Sequence, residues 1–332
     1  MSGQDEDAPP AAKVRLMKVA KSENEVRLDR WFKRHFPHVN HIALEKLLRT
    51  GQVRLDGKRV KSNERLRPGQ EVRVPPLPEA DAKPVKAEAR VPDNLVKDLL
   101  ARILYKDDDV LVLNKPFGLA VQGGTGTTMH LDAALDYLKF GAKERPRLVH
   151  RLDRDTAGVL VLARNVAAAS KLGEIFRRHK VRKYYWAVTV GRPHLMKGRI
   201  DAALLKQGGD FERMEVNETE GQDAVTYYSI VESAERIAAW VALWPITGRT
   251  HQLRAHLAAI GHPILGDPKY GDKTRIAEIP NKLHLFARRL ILPHPTKGTL
   301  DVKAPLPEHF KPAWDYFGFG KNDDDPFRDL EP

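Results

Sequence analysis

The sequence predicts an α+β protein in which a small basic unit precedes a larger unit with a central, mostly antiparallel mixed sheet flanked by helices. Many short β-branched runs alternate with a few amphipathic segments, no internal repeat is visible, and a proline-rich stretch divides the chain. The expected organisation is a partly disordered leader (1–25), a basic unit (26–75), a linker (76–94), the main unit (95–320) and an acidic tail (321–332).

Composition limits the class of protein and its partners. Of 332 residues, 42% are hydrophobic and 30% charged, and the net charge is +12, which indicates a polyanionic partner such as nucleic acid. The absence of cysteine excludes disulfides, thiolate metal sites and a cysteine nucleophile. No apolar run approaches the ~18 residues of a membrane span, and the acidic start lacks a signal-peptide core. We therefore expect a cytoplasmic protein that does not contact membranes.

The basic unit begins with two predicted helices. Leu28, Trp31 and Phe36 share one face of the first, which Pro37 ends. Asn40 can cap the second helix. Between residues 26 and 74, thirteen lysines and arginines stand against five aspartates and glutamates, so a net +8 of the total charge lies here.

A hairpin is expected after the second helix. Gly51 is suited to end that helix, and Gln52–Val60 centres on Asp56-Gly57, a strong signal for a two-residue hairpin turn. Two short helices followed by a basic hairpin resemble the S4 RNA-binding domain. The resemblance implies that the second helix and the hairpin contact RNA, mainly through phosphate, with Lys46, Arg49, Arg54, Lys58, Arg59 and Lys61. The alternative is a solvated charged face without a partner.

The main unit alternates strands, loops and a few helices. A glycine loop at 123–127 lacks the lysine and hydroxyl residue of a phosphate-binding loop, so a plain turn is the preferred interpretation. Residues 192–222 are predicted to be irregular, and residues 284–290 helical or extended. The other predicted strands are at 103–105, 110–116, 184–191, 226–231, 238–244 and 300–303. Helices are predicted near 130–140, at 165–179 and after 307, and residues 246–257 are predicted to be a loop that becomes a helix.

A compact polar segment lies between two apolar runs, Leu148-Val149 and Val159–Leu162. Charges placed between buried strands cost free energy unless they pair with one another or act in chemistry. Asp153 is therefore the first candidate for chemistry. The polar members of this segment are His150, Arg151, Asp153, Arg154 and Asp155.

Several kinds of site can be compared from the residues alone. His251 and His256 are five residues apart, a poor match to a zinc-binding helix, and no Gly-x-Ser-x-Gly turn for a serine nucleophile occurs. Asp153 and Asp155 could act as paired carboxylates on a sugar. A single carboxylate kept ionised by arginine could be a nucleophile or a base. It could equally be half of a structural arginine–aspartate pair.

Four ordered motifs resemble the RluA family of pseudouridine synthases over residues 100–305. His150-Arg-Leu-Asp153 with the following Thr156–Ala163 is similar to the catalytic motif of that family. The other three are Asn114-Lys-Pro-x-Gly118, Lys183-Tyr-Tyr185, and Thr247–Arg254 with Gly261–Asp267 and Tyr270-Gly271. The resemblance implies isomerisation of uridine to pseudouridine in RNA, without a cofactor or metal.

The resemblance also implies roles for individual residues. Asp153 corresponds to the family carboxylate, which attacks the nucleotide or removes the ribose 2′ proton; both routes stay open. Arg254 matches the residue that pairs with that carboxylate. Tyr185 would stack on the target base, with Tyr184 as the rival, and Arg151 would fill the gap left by a flipped base.

Further residues of the motifs are expected near the substrate. His150 is expected to orient the loop as well as lie close to the RNA, and His251 and Gln252 to hold the third motif in shape. Lys115 and Arg249 complete the expected substrate and RNA contacts. Trp186, Trp240 and Trp244 are expected to lie in the core rather than stack on bases.

With the S4-like unit in front, the resemblance is to the family members that modify large-subunit ribosomal RNA. We therefore expect a monomeric enzyme that acts on ribosomal RNA or on pre-ribosomal particles. Two alternatives remain from the sequence: the same chemistry on transfer RNA, and a non-catalytic RNA-binding factor for ribosome assembly.

Overall fold

A computed structural model describes residues 14–77, 91–123, 129–207, 213–271, 275–322, 325–328 and 330. The chain divides into two compact units, residues 1–88 and 89–332. Most of the predicted leader and linker, the centre of the glycine loop and parts of the tail lie outside the described residues. Within the described ranges, no helix is both long and apolar enough to cross a membrane.

The first unit contains two helices and a small antiparallel sheet. In chain order its elements are β1 (Arg15–Lys18), α1 (Leu28–His35), α2 (His41–Arg49), β2 (Arg54–Leu55) and β3 (Glu71–Val74). The strand order is β1–β3–β2. Because β1 pairs with β3 along its whole length, regular structure begins inside the segment predicted as a leader, which corrects that boundary.

The two predicted helices are confirmed and form the core of this unit. Leu28, Trp31 and Phe32 of α1 are buried and pack with Leu44 of α2 and the inner face of the sheet. Asn40 caps α2, since its side-chain oxygen accepts a hydrogen bond from the backbone N–H of Ala43 at 2.9 Å.

The predicted hairpin is correct only at its turn. Asp56 and Gly57 both have positive φ, 48° and 77°, and Leu55 and Lys58 exchange backbone hydrogen bonds of 3.0 and 2.9 Å, as expected for this type of turn. Beyond the bridge between Leu55 and Lys58, however, β2 pairs with β3 and not with residues 59–60. The Asp56 carboxylate fixes this arrangement, because it accepts a hydrogen bond from the Glu71 N–H at 2.8 Å.

Six basic side chains of α2 and the turn region are exposed to solvent. The guanidinium of Arg54 donates to the backbone carbonyls of Gly51 and Gly57, which orients it along the turn. The exposed residues are Lys46, Arg49, Arg54, Lys58, Arg59 and Lys61.

The second unit is built around one large mixed sheet. Its helices are α3 (Asp93–Ala101), α4 (Leu131–Ala134), α5 (Val166–Arg177), α6 (Gln252–Ala259) and α7 (Lys311–Phe317). Its strands are β4 (Ile103–Lys106), β5 (Val110–Lys115), β6 (Arg147–Leu148), β7 (Ala157–Ala163), β8 (Arg182–Val190), β9 (Lys197–Asp201), β10 (Leu204–Gln207), β11 (Arg213–Val216), β12 (Val225–Ala234), β13 (Ala238–Pro245), β14 (Leu285–Pro293) and β15 (Thr299–Lys303).

The strand order of the large sheet is β4–β5–β7–β14–β8–β13–β12–β9, with β6 paired to β7 and β15 to β14. Among the described pairs, β7 with β14 is parallel and the others are antiparallel. The prediction of a mostly antiparallel mixed sheet is therefore confirmed. A separate two-stranded ribbon joins β10 and β11.

Helices cover both faces of the sheet, which explains the continuous apolar runs of its central strands. Alternate residues of β5 and β7 pack against α3 and α4 on one face and against α5 on the other. Every residue of β13 is buried. Trp240 and Trp244 lie in the core, and Trp186 packs beside them, as predicted.

Two segments differ from the sequence prediction. The region expected to be irregular contains β9, β10 and β11, whose mixed, largely exposed side chains give little hydrophobic alternation. Phe327 lies in the predicted tail, yet it is buried and stacks on Tyr184 with ring centroids 5.7 Å apart. The tail therefore packs against the sheet instead of fraying completely.

A close contact joins β7 to β14 at the point where the chain enters β7. Gly158 has φ +110°, and a Cβ there would lie 2.1 Å from the carbonyl oxygen of Ala287. Ala287 is its register partner in the parallel pair. Only glycine fits this position without moving one of the two strands.

We expect Gly158→Ala to lower the free energy of unfolding by roughly 3 kcal/mol or more, because it adds both a backbone clash and a strained φ. Urea unfolding followed by circular dichroism measures this change. Gly173→Ala in α5 is the matched control: a Cβ there meets nothing within 4 Å, and a helical alanine should stabilise by about 0.5–1 kcal/mol. Equal stability of the two variants would contradict this packing.

Candidate active site

A cavity of about 460 Å³ opens beside the start of β7. Its walls come from the loop between β6 and β7, the end of α5, strand β8, and the segment that leads from β13 into α6. The lining includes His150, Arg151, Asp153, His179, Lys183, Tyr185, Thr247, Gly248, Arg249, His251, Gln252 and Arg254. The structure therefore brings the predicted catalytic residues together in one place.

Asp153 lies half-buried in the loop between β6 and β7. Its backbone carbonyl accepts a hydrogen bond from the Thr156 N–H at 3.1 Å, which makes a tight turn before β7. Within the described part of the chain, its carboxylate forms no hydrogen bond or ion pair. Asp153 thus lines the cavity with a carboxylate that no described side chain or backbone group engages.

Lys115 holds this loop from beneath. The side chain is fully buried, and its ammonium donates to the carbonyls of Pro116, Leu119 and Arg154 at 2.9, 2.7 and 3.0 Å. Burial lowers the pKa of Lys115 to about 7, although the charges of Asp155 and Asp153 act to raise it. The expected contact of Lys115 with RNA is therefore wrong, because the side chain is enclosed and its donors are used.

His150 connects the loop to the sheet. Its Nε2 accepts a hydrogen bond from the Val161 N–H at 2.8 Å, and its ring stacks on Phe176 with centroids 4.5 Å apart. Burial lowers the pKa of His150 to about 3, and the charge of Lys183 adds to this effect. The imidazole is neutral near pH 7, and one of its nitrogens is committed to orienting the loop.

Arg254 does not pair directly with Asp153, which corrects the predicted contact. Its guanidinium forms two buried hydrogen bonds to Asp267, 2.7 Å from Nε and 2.6 Å from Nη2. Asp267 suits this bidentate geometry because the N–H groups of Lys269 and Tyr270 hold one of its oxygens in place.

The charge of Asp153 still acts on Arg254. Desolvation by burial lowers the pKa of Arg254, but the hydrogen bond and charge of Asp267 outweigh it, and Asp153 adds a smaller effect in the same direction. The net result is a pKa above the ordinary value for arginine. Arg254 therefore supplies a fixed positive charge to the cavity wall while it is anchored elsewhere.

Alternation along β8 separates its two tyrosines. Tyr185 faces the cavity, whereas Tyr184 lies on the opposite face against Trp244 and Phe327. Burial raises the pKa of the Tyr185 hydroxyl, and the nearby charge of Asp153 raises it further. Tyr185 is therefore a protonated phenol beside the carboxylate, and Tyr184, its rival for the stacking role, does not line the cavity.

Gln252 holds the segment before α6 in place through hydrogen bonds of both its side-chain oxygen and its side-chain nitrogen. Its oxygen accepts from Thr247 at 2.7 Å and from the Arg249 N–H at 3.0 Å. Its NH2 group donates to the Val225 carbonyl and to Thr226 at 2.9 and 3.0 Å. Since the side chain is buried and saturated, it holds the loop and has no donor left for a ligand.

His251 and Arg249 occupy the two sides of this segment. His251 has φ +51° and lies 3.1 Å, Nδ1 to hydroxyl, from Tyr270. Burial lowers the pKa of His251, while the charge of Asp153 opposes this. Arg249 is exposed and donates through Nε to the Asp223 carbonyl at 3.0 Å, so its terminal nitrogens face solvent.

Sequence reasoning missed Lys183, Asp267 and Tyr270 as individual contributors to the cavity region. Asp267 and Tyr270 stand in the third motif, but nothing in their spacing shows that they fold back onto Arg254 and His251. Lys183 was visible only as the first residue of its motif. Of the residues described, no group of three or more histidines and carboxylates could hold a metal ion.

Comparison with known proteins identifies the family to which the chain is similar. The model of the RNA pseudouridylate synthase family matches residues 109–259. Ribosomal large subunit pseudouridine synthase C of Rickettsia bellii is 34% identical over 291 residues, covering 86% of this chain and 95% of that protein. The protein of the same name from Escherichia coli O6:H1 is 36% identical over 310 residues, covering 90% and 95%.

A solved structure agrees as well. Human RNA pseudouridylate synthase domain containing 4 is 34% identical, with a TM-score of 0.58 over 68% of this chain and 96% of that one. The alignments cover nearly the whole length of these two bacterial relatives. Residues of three of the four sequence motifs line one cavity. The chain therefore belongs to the RluA family of RNA pseudouridine synthases, isomerases that convert uridine in RNA to pseudouridine.

Proposed function

We propose that this protein isomerises specific uridines of large-subunit ribosomal RNA, with Asp153 as the reacting carboxylate. The observation that carries the proposal is the position of Asp153, whose oxygens have no partner among the described residues and face a cavity large enough for a nucleoside. The relatives named as large-subunit ribosomal synthases support the substrate class. Both of those relatives carry the name ribosomal large subunit pseudouridine synthase C, which favours the specificity of that type.

The reaction breaks the bond from C1′ to N1 of uracil and makes a bond from C1′ to C5. The C5 proton is lost and N1 gains a proton, so the product is an isomer and no cofactor is consumed. Asp153 acts either by attack on the nucleotide or by removal of the ribose 2′ proton. Either role requires the carboxylate form of Asp153, and the guanidinium of Arg254 lies in the wall of the same cavity.

Tyr185 would lie against the target base and carry a hydroxyl suited to hydrogen bonding. Its protonated state near pH 7 follows from burial, so it is a donor and stacking surface rather than an anionic base. The base must leave its stack to reach the cavity, which costs a few kcal/mol and is least costly in loops. The exposed Arg151 at the rim would fill the space that the base leaves.

The first unit would serve as an S4-type RNA-binding module. Its support is the pair of short helices, the tight basic turn, and six exposed cations on α2 and the turn region. Contacts from these residues would go mainly to phosphate and would strengthen binding without choosing the sequence. We expect the whole protein to act as a monomer in the cytoplasm, on ribosomal RNA or pre-ribosomal particles.

Two other functions compete with this proposal. Transfer RNA could be the substrate of the same chemistry, although an added RNA-binding module favours a larger RNA. A non-catalytic assembly factor would not need a carboxylate, a phenol and an arginine held in one cavity.

Asp153→Asn is expected to lower pseudouridine formation by at least about 10³-fold while RNA binding stays intact, because the amide can neither attack nor accept a proton. Purified protein is incubated with ribosomal and transfer RNA, and pseudouridine is mapped by chemical modification. Asp155→Asn is the matched control, expected to cost less than about tenfold, since Asp155 pairs with Arg154. Product on transfer RNA alone, or equal rates for the two variants, would contradict the proposal.

Arg254 and Asp267 should be strongly coupled in stability. Removing one partner of a buried, bidentate ion pair leaves an uncompensated charge and typically costs 3–5 kcal/mol. Urea unfolding of Arg254→Met, Asp267→Asn and the double variant is expected to give a coupling of roughly 2 kcal/mol or more.

A second double-mutant cycle, between Arg254→Met and Asp153→Asn, gives the coupling energy with which the first is compared. It should give less than about 0.5 kcal/mol, as expected for residues that share no direct contact. A reversed order of the two coupling energies would show that Arg254 is anchored by Asp153 after all.

Replacing Lys58, Arg59 and Lys61 by glutamine should weaken RNA binding and reduce the salt dependence of the dissociation constant. The slope of log K against log salt should fall by about one per lost phosphate contact, with little change in the rate at saturating RNA. Filter binding at several salt concentrations measures this. The control variant carries glutamine in place of Arg30, Lys33 and Arg34, which are exposed residues of α1. If both variants weaken RNA binding equally, only the total charge of the unit matters and the proposed contacts are wrong.

A further inference from the structure

Lys183 is a cavity residue to which the proposed mechanism gives no task. It shares with Tyr185 the face of β8 that lines the cavity. Within the described residues Lys183 forms no hydrogen bond and no ion pair. It differs in this from Lys115, the other enclosed lysine, whose ammonium binds three backbone carbonyls.

The surroundings of Lys183 leave space at the ammonium. Register between β8 and β13 pairs Tyr185 with Leu243, so the end of β13 and the loop after it lie across from Lys183. A Cβ added at Gly248 would be 3.8 Å from the Lys183 Nζ. A glycine at this position therefore keeps one side of the ammonium open to the cavity.

An ammonium in this position is costly without a ligand. Burial is the cause of its lowered pKa, and no nearby carboxylate offsets it. The positive charge also acts on His150, whose imidazole is kept neutral. A largely buried cation that lines a cavity and has no partner among the described residues is suited to a polar atom that arrives with the substrate.

The chemistry of the substrate limits which atom this is. RNA phosphates stay with the backbone at the protein surface, where Arg151 and Arg249 are exposed. The group that enters the cavity is the nucleoside, and its base presents two carbonyl oxygens. These oxygens acquire negative charge when the bond from C1′ to N1 breaks, because the bonding electrons leave with the base.

We propose that Lys183 is a catalytic residue whose ammonium donates a hydrogen bond to a carbonyl oxygen of the target uracil and stabilises the negative charge formed on the detached base. This inference rests on the proposed function. The electron pair from the C1′–N1 bond is spread over N1 and the carbonyl oxygens, and a pair from the base then forms the C1′–C5 bond. C5 loses its proton, N1 gains one, and Lys183 keeps its protons throughout.

The test compares single-turnover rates at saturating RNA. Lys183→Met should lower the rate by about 10²–10³-fold, the loss typical of one donor to a developing oxyanion, and leave the RNA dissociation constant within about threefold. Lys183→Arg keeps the charge and should recover part of the lost rate. Lys197→Met, at an exposed lysine of β9 away from the cavity, is the control and should match the unmodified protein.

The outcomes separate the two proposals. If the unmodified protein makes no pseudouridine in any RNA, the proposed function fails. If it makes pseudouridine and Lys183→Met does so at the same rate, only the role of Lys183 is overturned. Weaker RNA binding with an unchanged rate would also overturn it, because that result assigns Lys183 to a phosphate.

The pH dependence gives a second readout that a structural role would not produce. Because the ammonium must be charged, the rate should fall as pH rises through its pKa, which lies below the ordinary lysine value. Lys183→Arg should lose this alkaline decline, whereas ionisation of the uracil itself would be common to both proteins. The titratable and charged groups around the same cavity are His150, Arg151, Asp153, His179, Tyr185, Arg249, His251 and Arg254.

If the rate declines at the same alkaline pH in the unmodified protein and in Lys183→Arg, the proposal is overturned. This comparison also serves if Lys183→Met fails to fold, which circular dichroism would reveal, since arginine preserves the charge and most of the length.

Discussion

The position of the reacting carboxylate depends on a buried ammonium. Lys115 at the end of β5 binds the carbonyls of Pro116, Leu119 and Arg154, which ties the loop of Asp153 to the sheet. Backbone carbonyls in a buried loop need donors, and the lysine supplies three at once. The cost of burying its charge is reduced by the carboxylates above it, Asp155 and Asp153. The loop can therefore keep Asp153 unpaired without losing its shape.

The rest of the site follows from strands that bring distant segments to this loop. The parallel contact at Gly158 sets β14 beside β7, and β8 and β13 follow in the sheet. Alternation on β8 then directs Lys183 and Tyr185 into the cavity and Tyr184 into the opposite core. Arg254 is anchored by Asp267 and contributes its charge without occupying the carboxylate. The cavity thus brings together a carboxylate, a phenol and the cations Lys183 and Arg254, and its lining also includes the exposed Arg151 and Arg249.

Much of this arrangement could be predicted from the sequence. The apolar runs at 110–113 and 159–163, the cap at Asn40 and the turn at Asp56-Gly57 depend on local patterns, and the structure contains each of them. The motifs also identified the cavity residues Asp153 and Tyr185. Local patterns are sufficient where hydrophobic periodicity or capping chemistry decides the structure.

The remaining features depend on tertiary contacts. The partner of Arg254 could not be inferred, because two carboxylates of the motifs were available and only folding brings Asp267 within 2.7 Å. Lys115 looked like an RNA contact, since burial of a lysine is not visible in a short motif. Strand β1 and the ribbon of β10 and β11 have weak alternation, and their pairing depends on partners distant in sequence.

The most direct measurement is a structure of the protein bound to a ribosomal RNA fragment with 5-fluorouridine at the modified position. We expect a flipped nucleotide in the cavity, with an Asp153 oxygen within ~3.5 Å of the ribose carbon or hydroxyl that reacts. Tyr185 should lie against the base, and Arg254 should remain bound to Asp267. A target nucleotide bound outside the cavity, or Arg254 released from Asp267 to pair with Asp153, would contradict this expectation.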